Sequence, residues 1–337
     1  MKRSITILLL AVTIALAIAL FLYSQGSAPQ AESRIAESQY TSTNEPIDPL
    51  PLTATLDDKK VALGEKLFND VRLSRNDTIS CSSCHLLAAG GADGLVHSVG
   101  IDKRNGTINA PTVFNSGFNF RQFWDGRAET LEAQVDGPTH AFSEMDSNWQ
   151  EITNKLKLSP EYQAAFAELY AEGIERNNLQ DAIATFERSL STPNSRFDRF
   201  LRGDVSALSD DEKRGYLLFK DHGCSSCHQG VNVGGNMFQK FGAMGDYFAN
   251  RGNPTKADLG RFNVTGNNAD RHVFKVPSLR NVALTAPYFH DGSTARLEDA
   301  VAIMAKYQLG DQLSAKEISQ IVSFLKTLSG EYKGKAL

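Results

Sequence analysis

The sequence predicts a mainly α fold in two similar halves with long loops. The string Cys-Ser-Ser-Cys-His occurs twice, at Cys81–His85 and Cys224–His228, and uses all four cysteines of the chain. A similar helical pattern precedes each copy, Asp57–Phe68 (DDKKVALGEKLF) and Asp210–Phe219 (DDEKRGYLLF). Apolar–polar alternation, the mark of half-buried strands, is sparse.

In chain order, Met1-Lys2-Arg3 is followed by an apolar run from Ile5 to Tyr23. Positive residues ahead of such a run are the export pattern. The run is close to the roughly 20 residues that span a bilayer, so residues 1–23 are either a cleaved signal peptide or a retained anchor. Either way the positive-inside rule puts the rest of the chain outside the cytoplasm. Residues 24–55, rich in Ser, Thr, Pro, Glu and Gln, read as a flexible tether.

Each half then opens with the repeated helix, its acidic first turn complementing the helix dipole. A second amphipathic helix is expected in each, Leu179–Leu190 and Ala315–Leu328. Thr192-Pro193-Asn194 marks a stop, and Ser195–Ser209 reads as the joining segment. The Gly-rich stretches Ala88–Pro111 and Gly230–Gly266 carry few helix signals, and long loops of this kind are usually functional or disordered. The 337 residues leave room for two domains, and a net charge of −4 makes no case for nucleic acid.

Cys-x-x-Cys-His is the attachment signature of c-type haem. Cys81 and Cys84, then Cys224 and Cys227, add across haem vinyl groups, and His85 and His228 become the proximal iron ligands. A zinc site has no use for a His after each pair. A thioredoxin-like motif expects one pair near a βαβ pattern. Two cytochrome c-like haem domains follow, residues 56–195 and 196–337, with two covalent haem c. Such attachment occurs outside the cytoplasm, in agreement with the export pattern.

Further strings carry a resemblance: Phe123-Trp124-Asp125-Gly126-Arg127, Val276-Pro277-Ser278-Leu279-Arg280-Asn281-Val282, and Leu284-Thr285-Ala286-Pro287-Tyr288-Phe289-His290-Asp291-Gly292. From about residue 50 onward the chain resembles the bacterial dihaem cytochrome c peroxidases, relatives of the dihaem enzyme of methylamine dehydrogenase maturation. The resemblance implies a periplasmic peroxidase. Its N-terminal haem takes hydrogen peroxide, and its C-terminal haem receives electrons from a small cytochrome c or cupredoxin. It also implies homodimers.

The resemblance assigns Met304 as the sixth ligand of the second haem, where a thioether favours the reduced state. Met237 and Met244 are competitors. Glu144 matches the catalytic acid–base and Gln134 a distal amide that hydrogen-bonds peroxide. Trp124 matches the residue between the haems. Asn109, Thr285 and Pro287 match an oxygen-only Ca2+ site. His290 reads as structural. The distal His that closes the first haem in many relatives is replaced by Ile101, which cannot ligate iron. Two outcomes are open: a first haem that stays five-coordinate, or one closed by His97. A dihaem electron carrier and a dihaem oxidase that modifies a partner protein are the alternative functions.

Overall fold

A computed structural model describes residues 45–337. The apolar run Ile5–Tyr23 and most of the expected tether lie outside the described residues. Among the described residues no helix is long and apolar enough to cross a membrane.

Each half is built on one helix crossing. In the first, α1 (Asp58–Phe68) is capped by the Asp57 carboxylate, which accepts the Lys59 and Lys60 amides. Short α2 (Leu131–Gln134) and α3 (Asp136–His140) come next. They are followed by α4 (Trp149–Lys157), α5 (Pro160–Leu169) and α6 (Arg176–Ser189). α6 crosses α1 at Gly64, where a Cβ would sit 2.0 Å from the Ala182 carbonyl oxygen. The apolar stripe of α1 (Leu63, Leu67) faces Ile152, Tyr162, Phe166 and Ile183 in one core.

After α7 (Arg196–Leu201), the second half repeats the device. Ser209 and Glu212 form a capping box for α8 (Asp210–Asp221). Its Gly215 meets the last helix, where a Cβ would sit 1.9 Å from the Gln320 carbonyl oxygen. The elements between are β1 (Phe238–Lys240), α9 (Tyr247–Arg251), α10 (Phe262–Thr265), β2 (Val273–Lys275) and α11 (Leu297–Met304). α12 (Ala315–Lys326) closes the crossing. A hairpin of β3 (Glu331–Tyr332) and β4 (Lys335–Ala336) then returns to the first half, where Tyr332 packs edge-on against Phe114.

The shared Gly of the two opening helices is therefore a backbone-contact residue. Gly215→Ala is expected to lower stability by about 1–3 kcal/mol, because overpacking must push the two helices apart. Gly117→Ala, whose Cβ would find its nearest atom at 3.5 Å, is the control. Urea midpoints of the two variants check this.

Two expectations are corrected. The tether does not extend to Thr55, because Ile47 and Leu50 are buried. Backbone bonds hold the same stretch: Gly230 N–H donates to Pro46 O (2.8 Å), and Arg280 Nη2 donates to Asp48 O (2.9 Å). Within the joining segment Ser195–Ser209, a Ser195–Asp198 capping box starts α7, which buries Phe197 and Phe200. The Gly230–Gly266 loop holds β1, α9 and α10. Its aromatics explain this, because Phe241, Tyr247 and Phe248 stack on one another and on Phe274 of β2. From Pro46 onward the chain is one compact unit.

The repeat also runs further than its opening helices. Asn115, Phe123 and Gly126 have φ of 61°, 68° and 67°. Asn281, Phe289 and Gly292, at one constant spacing downstream, have 60°, 70° and 60°. Isolated bridges Gln122↔Ala128 and Tyr288↔Thr294 close the two equivalent turns. Trp124 and His290 are thus the same position in the two halves. So are Pro138 and Met304.

Candidate functional site

The two Cys-x-x-Cys-His strings form matching 3-10 turns, Cys81–Ser83 and Cys224–Ser226, directly before each His. None of the four cysteines is paired in a disulfide. Burial pushes the Cys84 and Cys224 thiols up to about 11. His85 Nδ1 lies 3.3 Å from the Gly91 carbonyl oxygen, and His228 Nδ1 lies 3.4 Å from that of Val233. The Pro111 and Pro277 carbonyls also face these rings. Burial holds both imidazoles below their usual pKa, His228 at about 4. Each is therefore neutral, donates Nδ1–H to a carbonyl, and keeps the Nε2 lone pair for a metal. Paired thiols beside a neutral, oriented imidazole fit a covalently held haem at each turn.

Met304 is half-buried at the last position of α11. The backbone widens directly after it into a π turn, Ala305–Leu309, a feature common at functional sites. Met244 is 65% exposed, on the protein surface, and Met237 is half-buried beside β1. In the first half the position equivalent to Met304 is Pro138, which offers no ligand atom.

Glu144 and Ile101 lie in two loops bonded to each other. The Ile101 amide donates to the Glu144 carbonyl (2.8 Å), and a Cβ on Gly100 would sit 2.1 Å from the Ser143 carbonyl. Ile101 is fully buried. Arg104 ties the loops again, donating to Phe142 O (2.7 Å) and Asp146 (2.9 Å), while Arg75 bridges Asp102 and Asp146. Burial raises the Glu144 carboxyl above its usual pKa, and the charge of Arg127 pulls it part of the way back. Gln134 is the half-buried last residue of α2. Near it a cavity of about 530 Å³ is lined by Phe123, Arg127, Ala133, Gly137, His140 and Ala141. His97 is half-buried four residues before Ile101, and its ring makes no hydrogen bond among the described residues.

Trp124 and His290 meet edge-on where the halves join, with ring centroids 6.3 Å apart. Trp124 Nε1 donates to Asn109 O (3.1 Å), and the Asn109 amide donates to His290 O (2.8 Å). His290 Nε2 donates to Asp258 Oδ1 (2.8 Å). Asp258 is fully buried, and burial opposes its charge. Hydrogen bonds from Arg251, the Thr255 amide and His290 outweigh that and hold it well below the usual carboxylate range. Asp258, His290 and Asp291 are close enough to share a metal ion. Arg251 nonetheless already engages both carboxylates, so the cluster is a closed ion-pair network.

Asn109 Nδ2 donates to Leu95 O (2.8 Å). Its Oδ1 and the carbonyls of Thr285 and Pro287 accept no hydrogen bond among the described residues. These are neutral oxygens of the kind Ca2+ uses.

Asp258, Arg251 and Lys275 were not legible as site residues. The one available signal was the second Asp-Gly turn, Phe289-His290-Asp291-Gly292, which matches Phe123-Trp124-Asp125-Gly126. Glu187 is a further buried carboxyl, pushed up to about 8 by burial, with Oε2 unpaired.

Two helix crossings, each carrying a cysteine pair and an oriented histidine, define a dihaem redox protein. The family model for di-haem cytochrome c peroxidase matches residues 58–206. Cytochrome c peroxidase Ccp of Escherichia coli (strain K12) is 50% identical over 290 residues, covering 86% of this chain. The chain spans only 62% of that relative's length. Cytochrome c551 peroxidase of Nitrosomonas europaea is 46% identical over 298 residues, covering 88% of this chain and 87% of the relative. A solved structure, a MauG-like protein associated with microbial copper homeostasis, matches with TM-score 0.71 at 31% identity, covering 86% of this chain and 95% of that one. The chain belongs to the di-haem cytochrome c peroxidase family, whose members are oxidoreductases acting on peroxide and carry two haem groups.

Proposed function

We propose that this protein reduces hydrogen peroxide to two waters, taking two electrons from a small periplasmic cytochrome c or cupredoxin and two protons from solvent. The observation that carries this reading is Glu144. It is a carboxyl with a burial-raised pKa, held on a loop bonded to the Gly100–Ile101 backbone.

Covalently bound haem c would supply the redox centres, on Cys81, Cys84 and His85 and on Cys224, Cys227 and His228. The chain's own residues supply the proton handling. Glu144 takes the proton from one peroxide oxygen and returns it to the other, which leaves as the first water, while the two donor electrons and two solvent protons convert the remaining oxygen to the second. The Gln134 amide donates a hydrogen bond that orients the peroxide. Met304 would hold the second haem and favour its reduced state, which suits an entry point for electrons. Trp124, in contact with His290, lies between the two halves on the electron path. Asn109, Thr285 and Pro287 hold Ca2+ beside that path. The Lys2-Arg3 export pattern supports a periplasmic location.

Ile101 cannot close the first haem, and the bonds from Ile101 to Glu144 and from Arg104 to Asp146 hold the loop in place. The fully oxidised protein is therefore expected to show a high-spin haem by EPR that reacts with peroxide without prior reduction. A spectrum with two low-spin haems, one turning high-spin on half-reduction, would assign closure to His97. Two low-spin haems that never open would overturn the peroxidase reading.

A further inference from the structure

Two basic side chains are buried among the described residues, Arg280 and Lys275. Arg280 has an anionic partner, since its Nη1 lies 2.7 Å from Asp198 Oδ1. Lys275 has none. It is 8% exposed, on β2, and its ammonium makes no hydrogen bond or ion pair among the described residues. Burial alone acts on it, pulling its pKa down to about 8. Its Nζ is not among the fully enclosed unpaired atoms, so it borders open space, and a partner there would offset the cost of burying the side chain. An anion from outside the polypeptide would supply the missing partner.

Its position says which anion. Two residues on, the Pro277 carbonyl faces the His228 imidazole, and a Cβ on Gly234 would touch both. The partner strand β1 places Phe238 opposite Lys275, and the adjacent Gln239 donates to Cys227 Sγ at 3.8 Å. The β1–β2 pair is thus a wall of the second cysteine–histidine site. Lys275 also lies at the join between the halves. Its amide donates to Trp124 O at 2.8 Å, and the equivalent amide of Asn109 donates to His290 O at 2.8 Å.

We propose that Lys275 is the counter-ion of a propionate of the haem carried by Cys224, Cys227 and His228. The proposal rests on reading that motif as a covalent haem site. An ammonium at this place would neutralise a propionate carboxylate and favour the reduced state of that haem. Among the described residues no carboxylate reaches Lys275.

Lys275→Met separates the readings by sign. A buried lysine without a partner is relieved by an apolar side chain of similar length, so its loss stabilises the protein. A lysine paired with a propionate leaves a stranded carboxylate behind. The expected result for the mature dihaem protein is a lower unfolding temperature and a lower midpoint potential of the Met304-side haem. Lys275→Arg is expected to restore both. An unchanged or raised unfolding temperature, or an unchanged midpoint, overturns the proposal. A pyridine haemochrome count on the wild type keeps the two failures apart, because fewer than two haems per chain sinks the haem reading itself. Should Lys275→Met not mature, Lys275→Gln carries the same comparison.

Discussion

Replacing Glu144 by Gln is expected to lower steady-state peroxide turnover by about 10²–10⁴-fold, the usual contribution of a positioned acid–base group. The optical and EPR spectra of both haems should be unchanged. The substitution keeps the shape of the side chain and leaves the Ile101–Glu144 backbone bond (2.8 Å) intact. What it removes is the proton shuttle. The pH dependence gives a second test. Burial raises the Glu144 pKa above its ordinary 4.5, and only the ionised form accepts the peroxide proton. Wild-type kcat/KM should therefore fall with decreasing pH through a value above 4.5, and the residual activity of Glu144→Gln should lack that limb. Full turnover in Glu144→Gln would remove this residue from the mechanism.

The largest loss of stability is expected at Asp198. Its carboxylate accepts Arg280 Nη1 (2.7 Å), the Leu50 amide (3.1 Å) and the Ser195 amide (3.2 Å), and both partners of the ion pair are fully buried. Asp198→Ala strands a buried guanidinium, at a cost of about 3–5 kcal/mol. It also frees the Leu50 amide, so the segment from Pro46 to Leu50 should become cleavable in limited proteolysis before the rest unfolds. The double replacement Asp198→Leu with Arg280→Met should cost less than Asp198→Ala alone, since no unpaired charge remains. Denaturant midpoints of the three proteins decide it. Equal midpoints for wild type and Asp198→Ala would show that the pair does not hold the strap.

The helices of both crossings were legible because their signals are local. Asp57 and Ser209 sit at the caps, acidic residues fill the first turns, and the apolar positions recur at helical spacing. Observed α6 starts three residues before the expected Leu179–Leu190 and ends one residue short of it, and α12 starts at the expected Ala315 and ends two residues before Leu328. The cysteine–histidine turns were legible for the same reason, because attachment chemistry fixes residue types at adjacent positions. The strap was misread because Pro, Thr and Glu around Ile47 and Leu50 look disordered. Two apolar anchors and a handful of backbone bonds suffice to hold it. The Gly230–Gly266 loop was misread because its order comes from aromatic stacking between distant residues.

The sequence by itself determined the two motifs, the opening helices and the mainly α architecture. Each is a matter of residue identity at a place the chain's own local rules define. Only the tertiary structure decided that Trp124 and His290 are equivalent and touch, that Asp258 and Arg251 form a buried network behind them, and that Lys275 is buried without a partner. Those facts depend on which side chains are removed from water together. Burial of a charge and the identity of its partner are set by contacts between separate elements, such as His290 with Asp258 across 32 residues, and no local pattern records them.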